Sequence, residues 1–366
     1  MIGRLVLENL KHRPLRSLLS ILLIGVPVTL ILSLVGLTHG MTEDTQNRQR
    51  GVGADIVVRG STATSAISFS PAAVPEALVG VIEKQPHVRM ALGVNLHNIQ
   101  LPLVITGVDM AKFKEMNGGF NYLSGHELQA DDDILLDRYV AEQKKAKVGS
   151  SVDFLNRTWH VAGIIDTGKL ARIVVKIGVL QDLDAVSHPP KVTQIYVKVD
   201  DQKNIPLVVK ELKTLLPSYS VDTMKDLLAA FEPSRTPGVK EFTMVVVAIG
   251  VVIGFFVVCL SMYTAVLQRT REIGILKSLG AGKLFILQII LLEALVMGIG
   301  GTIVGVFLSF GAYGLIRALV PTLAIIIVPS WWPIAGGITL VGAALGSLYP
   351  GWNAASHDPI EALSYE

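Results

Sequence analysis

The sequence predicts an α/β membrane protein, with four transmembrane helices and a large mixed α/β extracytoplasmic domain inserted between the first and the second. Composition is the first support. Of 366 residues, 51% are hydrophobic and only 17% charged, at a mean hydropathy of +0.52, whereas soluble chains carry about 25% charge. Distribution is the second: the apolar residues gather into runs matching the roughly 20 residues a helix needs to cross a bilayer core, in two blocks flanking a long polar stretch. A single cysteine, Cys259, excludes a disulfide framework and a cysteine-rich zinc site. The formal net charge of +2 leaves no nucleic-acid footprint.

Residues 1–14 form an amphipathic segment carrying Arg4, Lys11 and Arg13, and the first span, 15–37, follows with Pro27 as a kink. With Arg16 these cations resemble the start of a signal peptide. The apolar run is longer than the 7 to 15 residues of a signal core, however, and Thr38-His39-Gly40-Met41 offers no small-x-small cleavage site, so a retained anchor is expected. The other spans are placed at 241–267, 284–316 and 332–349. Lys and Arg near span ends resist translocation. Arg269, Arg271, Lys277 and Lys283 in segment 268–283 therefore belong with the N-terminal cations in the cytoplasm, while loop 317–331 has only Arg317, beside Trp331 and Trp332 as an outer interfacial belt. Both termini, the tail 350–366 included, are then cytoplasmic, and 38–240 lies outside.

Within 38–240, Asp55–Arg59, Ile99–Ile105, Trp159–Ile165 and Thr193–Val199 are rich in β-branched residues at strand length, and Pro75–Gln85 and Pro206–Leu216 have helical spacing. An inserted lobe from about Ser124 to Asp184 separates flanking halves that each look like a strand and helix unit needing the other. Thr42–Arg50 and Val221–Phe231 read as helices continuing the first and second spans, the latter interrupted by Pro233 and Pro237.

From Gln268 the chain reads QRTREIGILKSLGAGKLFILQIILLEALVMGIGGTIVG, a basic amphipathic segment entering a glycine-rich span. With the opening ENLKHRPLRSLLSILLIGV and the closing PGWNAASHDPIEAL, it resembles the permease subunits of the MacB, LolC and FtsX group of ABC transporters, the type VII exporters. Arg269, Glu272, Ile273, Gly274, Ile275, Leu276, Lys277, Leu279, Gly280 and Ala281 fit the family pattern after the second span, with Ser278 departing from it. Leu123-Ser124-Gly125, Ile134-Leu135-Leu136-Asp137, Val148-Gly149 and Val161-Ala162-Gly163-Ile164 follow the order of a MacB-like periplasmic core. Ser364 stands where the family usually has Arg.

The resemblance implies a bacterial inner-membrane permease without enzymatic activity of its own. A separate ATPase subunit binds ATP and Mg, and a second permease copy or paralogue, membrane lipid and in some members a periplasmic adaptor complete the assembly. No cofactor is expected in this chain and no nucleic-acid partner. Consistent with a motor elsewhere, Gly280-Ala281-Gly282-Lys283 is not a phosphate loop, because Lys277 stands where the first Gly is needed and Leu284 where Ser or Thr is needed. It suits a helix stop.

Arg269, Arg271, Glu272, Ile273, Leu276, Lys277 and Leu279 are the candidate ATPase-coupling residues, on a short helix whose apolar face is Ile273, Leu276 and Leu279. Physics alone equally allows a helix resting on anionic headgroups; the resemblance favours coupling. Arg269 is spaced to pair with Glu272 along the helix. Glu293 is the carboxylate deep in a span, where charge costs roughly 2.5 kcal/mol or more. It serves either a proton or substrate site or a bond to a neighbouring helix or the coupling segment. Gly250 with Gly254, Gly301 with Gly305 and Gly342 with Gly346 form small-residue faces that permit close helix approach, within the chain or between subunits.

Other chemistry is thin. His12, His39, His87, His97, His126, His160, His188 and His357 lack metal-ligand spacing, with His87 and His97 expected on adjacent strands. Asp131-Asp132-Asp133 reads as an exposed loop, and Ser61-Thr62 and Ser150-Ser151 have no paired base. Asn156-Arg157-Thr158 is a formal glycosylation sequon. Met262 and Tyr263 fall at the cytoplasmic end of their span. Three functions are weighed: a permease exporting or extracting hydrophobic or envelope cargo such as lipid, lipoprotein, peptide or drug; an FtsX-like signalling module activating an outer partner without transport; and a membrane-anchored enzyme, which no catalytic constellation supports. A domain spanning 38–240 with a MacB-like core favours the first over the second.

Overall fold

A computed structural model describes residues 14–60, 73–100, 103–183, 189–232 and 239–356. Helix α1 (Pro14–Arg50) is unbroken, with Pro27 inside it. Within its apolar run, the Thr29 hydroxyl donates to the Gly25 carbonyl one turn back, so it is not left unpaired in hydrocarbon. The polar stretch 42–50 continues the same helix, and Arg48 and Arg50 complement the negative end of its dipole.

The chain divides into two compact units: residues 40–237 with 317–324, and the remainder, which holds the membrane helices. The outer unit runs β1 (Ile56–Gly60), β2 (Val74–Pro75), α2 (Ala77–Glu83), β3 (Val88–Gln100), β4 (Leu103–Val108), α3 (Met110–Asn117), β5 (Tyr122–Gly125), β6 (Asp133–Asp137) and α4 (Arg138–Lys144). It continues with β7 (Ser151–Phe154), β8 (Arg157–Ile165), β9 (Ile173–Lys176), α5 (Ile177–Leu183), β10 (Lys191–Val192), β11 (Gln194–Val199), α6 (Ile205–Leu215), β12 (Tyr219–Thr223) and α7 (Met224–Ala230). The main sheet has the order β12-β1-β11-β3-β4-β9-β6-β8-β5, with β7 also on β8, while β2 and β10 pair separately.

Strand alternation sends successive side chains to opposite faces. Val57, Leu92, Leu135, Val174 and Tyr196 fill one core that runs from β1 across to β8. On the other face Ile56, Val58, Val208 and Leu212 form one cluster, and Ile105, Ile134, Leu136, Val140 and Leu180 form another. The expected inserted lobe is thus an extension of the same sheet, joined through the parallel pair β4/β9 (Ile105 opposite Ile173). The flanking halves do pair, β1 running antiparallel to β11 and β12.

Three local expectations are corrected. Ile99–Ile105 is not one strand: Ile99 and Gln100 end β3, and Leu103–Ile105 open its antiparallel neighbour β4. Val221–Phe231 is not a continuous helix, because residues 221–223 pair with β1 and α7 starts only at Met224, capped by Thr223 through the Asp226 N–H. His87 and His97 do not sit on adjacent strands. His87 occupies a turn at φ 62° immediately before β3, and His97 lies within β3.

The membrane unit adds α8 (Val239–Gln268), α9 (Thr270–Ser278), α10 (Lys283–Leu319) and α11 (Trp331–Ser356) to the first part of α1. Among the described residues, four helices are long and apolar enough to cross a membrane: α1, α8, α10 and α11. Helix α11 extends past residue 349, so part of the expected tail is helical.

Candidate functional site

The segment singled out after the second span folds as a helix-turn device. Helix α8 ends at Gln268, the chain turns at Arg269 (φ −119°, ψ 17°), and α9 follows. The Thr270 hydroxyl donates to the Leu267 carbonyl at 2.9 Å, satisfying an orphan acceptor at the end of α8. At the far end the N–H groups of Gly280 and Ala281 reach back to Lys277 and Leu276 at 3.0 Å each. Gly280 there adopts φ +95°, a left-handed conformation that a side chain would strain.

Two polar contacts tie α9 to its neighbours. Arg269 Nη1 donates to Glu293 Oε2 at 3.2 Å and Oε1 at 3.4 Å, across to α10. Glu293 is 5% exposed, so its charge is matched by a guanidinium, the kind of partner a carboxylate at depth needs. The Arg269 side chain, expected beside Glu272, thus reaches a different helix. Lys277 Nζ donates to the Ala355 carbonyl at 2.8 Å, joining the other end of α9 to α11.

Packing divides the faces of α9 differently from the amphipathic reading. Ile273 and Leu276 turn inward, against a cluster containing Met262, Ile286, Ile290, Ala354 and Ala355, with Gly274 buried beside them. Facing out are Arg271, Glu272, Ile275, Ser278 and Leu279. Leu279 is 81% exposed and Ile275 45%. The expected single apolar face of Ile273, Leu276 and Leu279 is therefore corrected: only Leu279 of the three is outward, and Ile275 joins it. The missed signal was the spacing of four from Arg271 to Ile275 to Leu279, which keeps residues on one helix face.

Of the small-residue faces, Gly301 and Gly305 lie against α1, where Gly301 O and Gly305 N would each stand 3.3 Å from a Cβ at Gly25. Gly346 lies against α8, where a Cβ would meet Phe255 O at 2.7 Å, and Gly250 lies near Ile31 of α1. Gly254 has open space, and Gly342 has only Val251 O at 3.9 Å. Gly250, Gly254 and Gly342 line a cavity of about 20 Å³ with Ile24, Pro27 and Val258.

Polar groups of the outer unit serve local turns. His87 Nδ1 lies 2.9 Å from Asp200 Oδ2, and the Asn204 amide donates to Asp200 Oδ1 at 2.8 Å; these two bonds pull the exposed Asp200 carboxyl down to about 2. Asp133, expected in an exposed loop with Asp131 and Asp132, instead opens β6 and is buried; burial opposes its ionisation, but the N–H groups of Ala130 and Gln129 and then His160 outweigh it and hold that carboxyl below its usual range. Asp131 pairs with Lys176 at 3.0 Å, and the Ser150 hydroxyl donates to the Lys147 carbonyl at 2.7 Å. Asn156 sits in the β7–β8 turn at φ 56°. Arg4, Lys11, His12, Arg13, Ser61, Thr62, His188, Pro233, Pro237, His357 and Ser364 lie outside the described residues.

A family model described as the MacB-like periplasmic core domain matches residues 17–215, more than half of the chain, and one described as the FtsX-like permease C-terminal domain matches residues 244–359. The chain belongs to this MacB/FtsX permease family. Among relatives of this permease, YknZ of Bacillus subtilis, an uncharacterized ABC transporter permease, is 35% identical over 159 residues, covering 41% of the chain and 37% of YknZ. An uncharacterized ABC transporter permease of Methanocaldococcus jannaschii is 24% identical over 98% of the chain and 96% of its own length. The macrolide export ATP-binding/permease protein MacB of Mannheimia succiniciproducens is 26% identical over 59% of the chain, a match spanning only 35% of that protein. The crystal structure of the periplasmic region of MacB from Actinobacillus actinomycetemcomitans aligns with 50% of the chain and 95% of that region, at 14% identity and a TM-score of 0.37. The protein is thus a multi-pass ABC transporter permease with an extracytoplasmic domain, a type of subunit that works with an ATPase.

Proposed function

We propose that this permease serves a type VII exporter in which a separate cytoplasmic ATPase docks on the outward face of α9, and the resulting motion of the outer domain expels or extracts hydrophobic or envelope cargo. The observation that carries the reading is the division of α9. Arg271, Glu272, Ile275, Ser278 and Leu279 are free of the bundle on one side, while Ile273 and Leu276, the Arg269 to Glu293 pair and the Lys277 to Ala355 bond hold the other. A helix gripped this way can pass a push to the spans; a helix lying loosely on headgroups needs no such grip.

Arg269, Arg271, Lys277 and Lys283 support a cytoplasmic location for this end, and hence for both termini, by the bias of Lys and Arg against translocation. ATP and Mg would bind the partner, and a second permease copy or paralogue would complete the complex. The test is purification from native membrane in mild detergent, mass spectrometry of what accompanies the protein, and ATP hydrolysis with and without Glu272→Lys. Co-purification of an ATP-binding subunit, with assembly or activity weakened by the charge reversal, is expected. Recovery of an extracytoplasmic hydrolase with no ATP-binding subunit would refute the export reading.

A further inference from the structure

The last turns of α1, within the outer unit, meet a buried charge cluster that the membrane end does not use. Arg172, 4% exposed, immediately precedes β9. Its guanidinium donates to Asp44 Oδ2 at 2.8 Å and to Asp137 Oδ2 at 3.4 Å, and lies 5.4 Å from the centre of the Tyr139 ring. Asp44, on α1, also pairs with Arg48 at 3.2 Å. Asp137 ends β6 and caps α4 by accepting the Val140 N–H at 2.7 Å, while its own N–H donates to Arg172 O at 2.7 Å. The Leu170 N–H adds a bond to the Arg48 carbonyl at 3.0 Å.

The other half of the sheet holds α1 by neutral groups. The Tyr196 hydroxyl on β11 donates to Gln49 Oε1 at 2.7 Å, and Gln46 Nε2 donates to the Leu228 carbonyl at 3.0 Å. The end of α1 is therefore bonded to both halves, which join each other through the β4/β9 seam. Burying charges is costly, and well-packed apolar groups often do as well for stability. What a buried ion pair adds is geometry, because removing either partner strands the other, so one register of α1 against β6 and β9 is selected.

We propose that Arg172 is a positioning residue that keys the end of α1 to the β6–β8–β9 half of the outer domain, so that displacement of α1 carries that half with it. Only the source of the displacement, an ATPase stroke, rests on the function proposed above. The keying can be tested separately on the full chain in lipid nanodiscs, in a Cys259→Ser background, by pulsed electron spin resonance between labels at exposed positions. One pair joins Asn47 on α1 to Gln143 on α4, and the other joins Asn47 to Lys225 on α7.

In the parent both distance distributions should be single and narrow. Asp44→Asn should broaden or split the Asn47 to Gln143 distribution and leave Asn47 to Lys225 narrow, and Arg172→Met should do the same. If Arg172→Met fails to fold, Asp44→Asn still decides, since it leaves the Arg172 to Asp137 pair in place. Two narrow distributions in Asp44→Asn, or two that broaden together, would overturn the proposal, the second because it marks general loosening. With the co-purified ATPase, Asp44→Asn should keep ATP hydrolysis measured without vanadate but, once trapped with ATP plus vanadate, lose the parent's nucleotide-dependent change in the distance of Gln143 from headgroup labels. Loss of hydrolysis along with that change would count against a positioning role. A parent that shows no nucleotide-dependent change would sink the coupling reading and leave the keying result standing.

Discussion

Adding one methyl group to a span glycine should have opposite effects at Gly305 and Gly254. A Cβ at Gly305 would stand 2.6 Å from Val28 Cβ and 2.8 Å from Gly25 O, and one at Gly301 would stand 2.7 Å from Ile24 Cβ. Non-bonded carbons settle at about 3.5–4.0 Å, so α1 and α10 would have to part by about 1 Å. Cβ and backbone atoms cannot rotate out of the way, and overpacking of this kind costs about 1–3 kcal/mol. Alanine's helix preference over glycine returns about 1 kcal/mol, leaving Gly305→Ala destabilised by up to about 2 kcal/mol, a shift of up to roughly thirtyfold in the folding equilibrium. At Gly254 nothing lies within 4 Å, so Gly254→Ala keeps only the helix preference and should be neutral or stabilised by up to about 1 kcal/mol. Reversible unfolding in mixed detergent micelles, or steric trapping in bicelles, measures both. If Gly254→Ala loses as much as Gly305→Ala, the space beside Gly254 is occupied, and the reasoning that a methyl group is tolerated there fails.

Three further outcomes follow from the same contacts. Arg269→Met removes the guanidinium from the Glu293 carboxylate, which is 5% exposed, and should cost about 3–5 kcal/mol, whereas Arg269→Met combined with Glu293→Leu should recover most of it; a double-mutant cycle by thermal unfolding checks the pair. Lys277→Met removes a charged donor from the Ala355 carbonyl and should lose about 1.5–3 kcal/mol locally, read as faster amide exchange at the end of α11 with little change in the outer domain. Asp200, held at about 2, favours the folded state above its ordinary value of 3.8, an advantage lost as pH falls from 3.8 toward 2. In Asn204→Ala its carboxyl should titrate closer to 3.8, visible in carbon-13 spectra of labelled aspartate, and an unchanged midpoint would show that the Asn204 amide is not what holds it.

The spans were legible because the bilayer imposes a length on any apolar helix, a constraint that acts residue by residue along the chain. Strand limits depend on partners far away. The run Ile99–Ile105 looked like one strand because its β-branched composition carries across a reversal; Pro102, a residue kept out of strand interiors, was the overlooked mark. Val221–Phe231 has helical spacing, but its first residues are claimed by β1, and the sign of the true start was Thr223, whose side chain caps α7. The join of the expected lobe to the flanking sheet was hidden for a related reason. It depends on a parallel pair between β4 and β9, and parallel pairing leaves no local turn signal.

The coupling helix shows why a motif can be legible when its working face is not. An amphipathic pattern marks which residues avoid water in a soluble protein, but α9 has an apolar bundle on one side and the proposed partner on the other, so hydrophobicity alone cannot assign its faces. Residues three apart also drift around a helix of 3.6 residues per turn, which separates Leu279 from Ile273. The charged groups remove the ambiguity. Glu293 requires a partner at its depth, and Arg269 supplies it from the first turn of the reversal, while Lys277 fixes the last turn through Ala355. With both ends held, Ile273 and Leu276 must face inward and Arg271, Ile275 and Leu279 outward. Arg269 and Lys277, grouped by sequence with the partner-facing residues, therefore do their work inside the bundle, setting the rotation of the helix that presents the others.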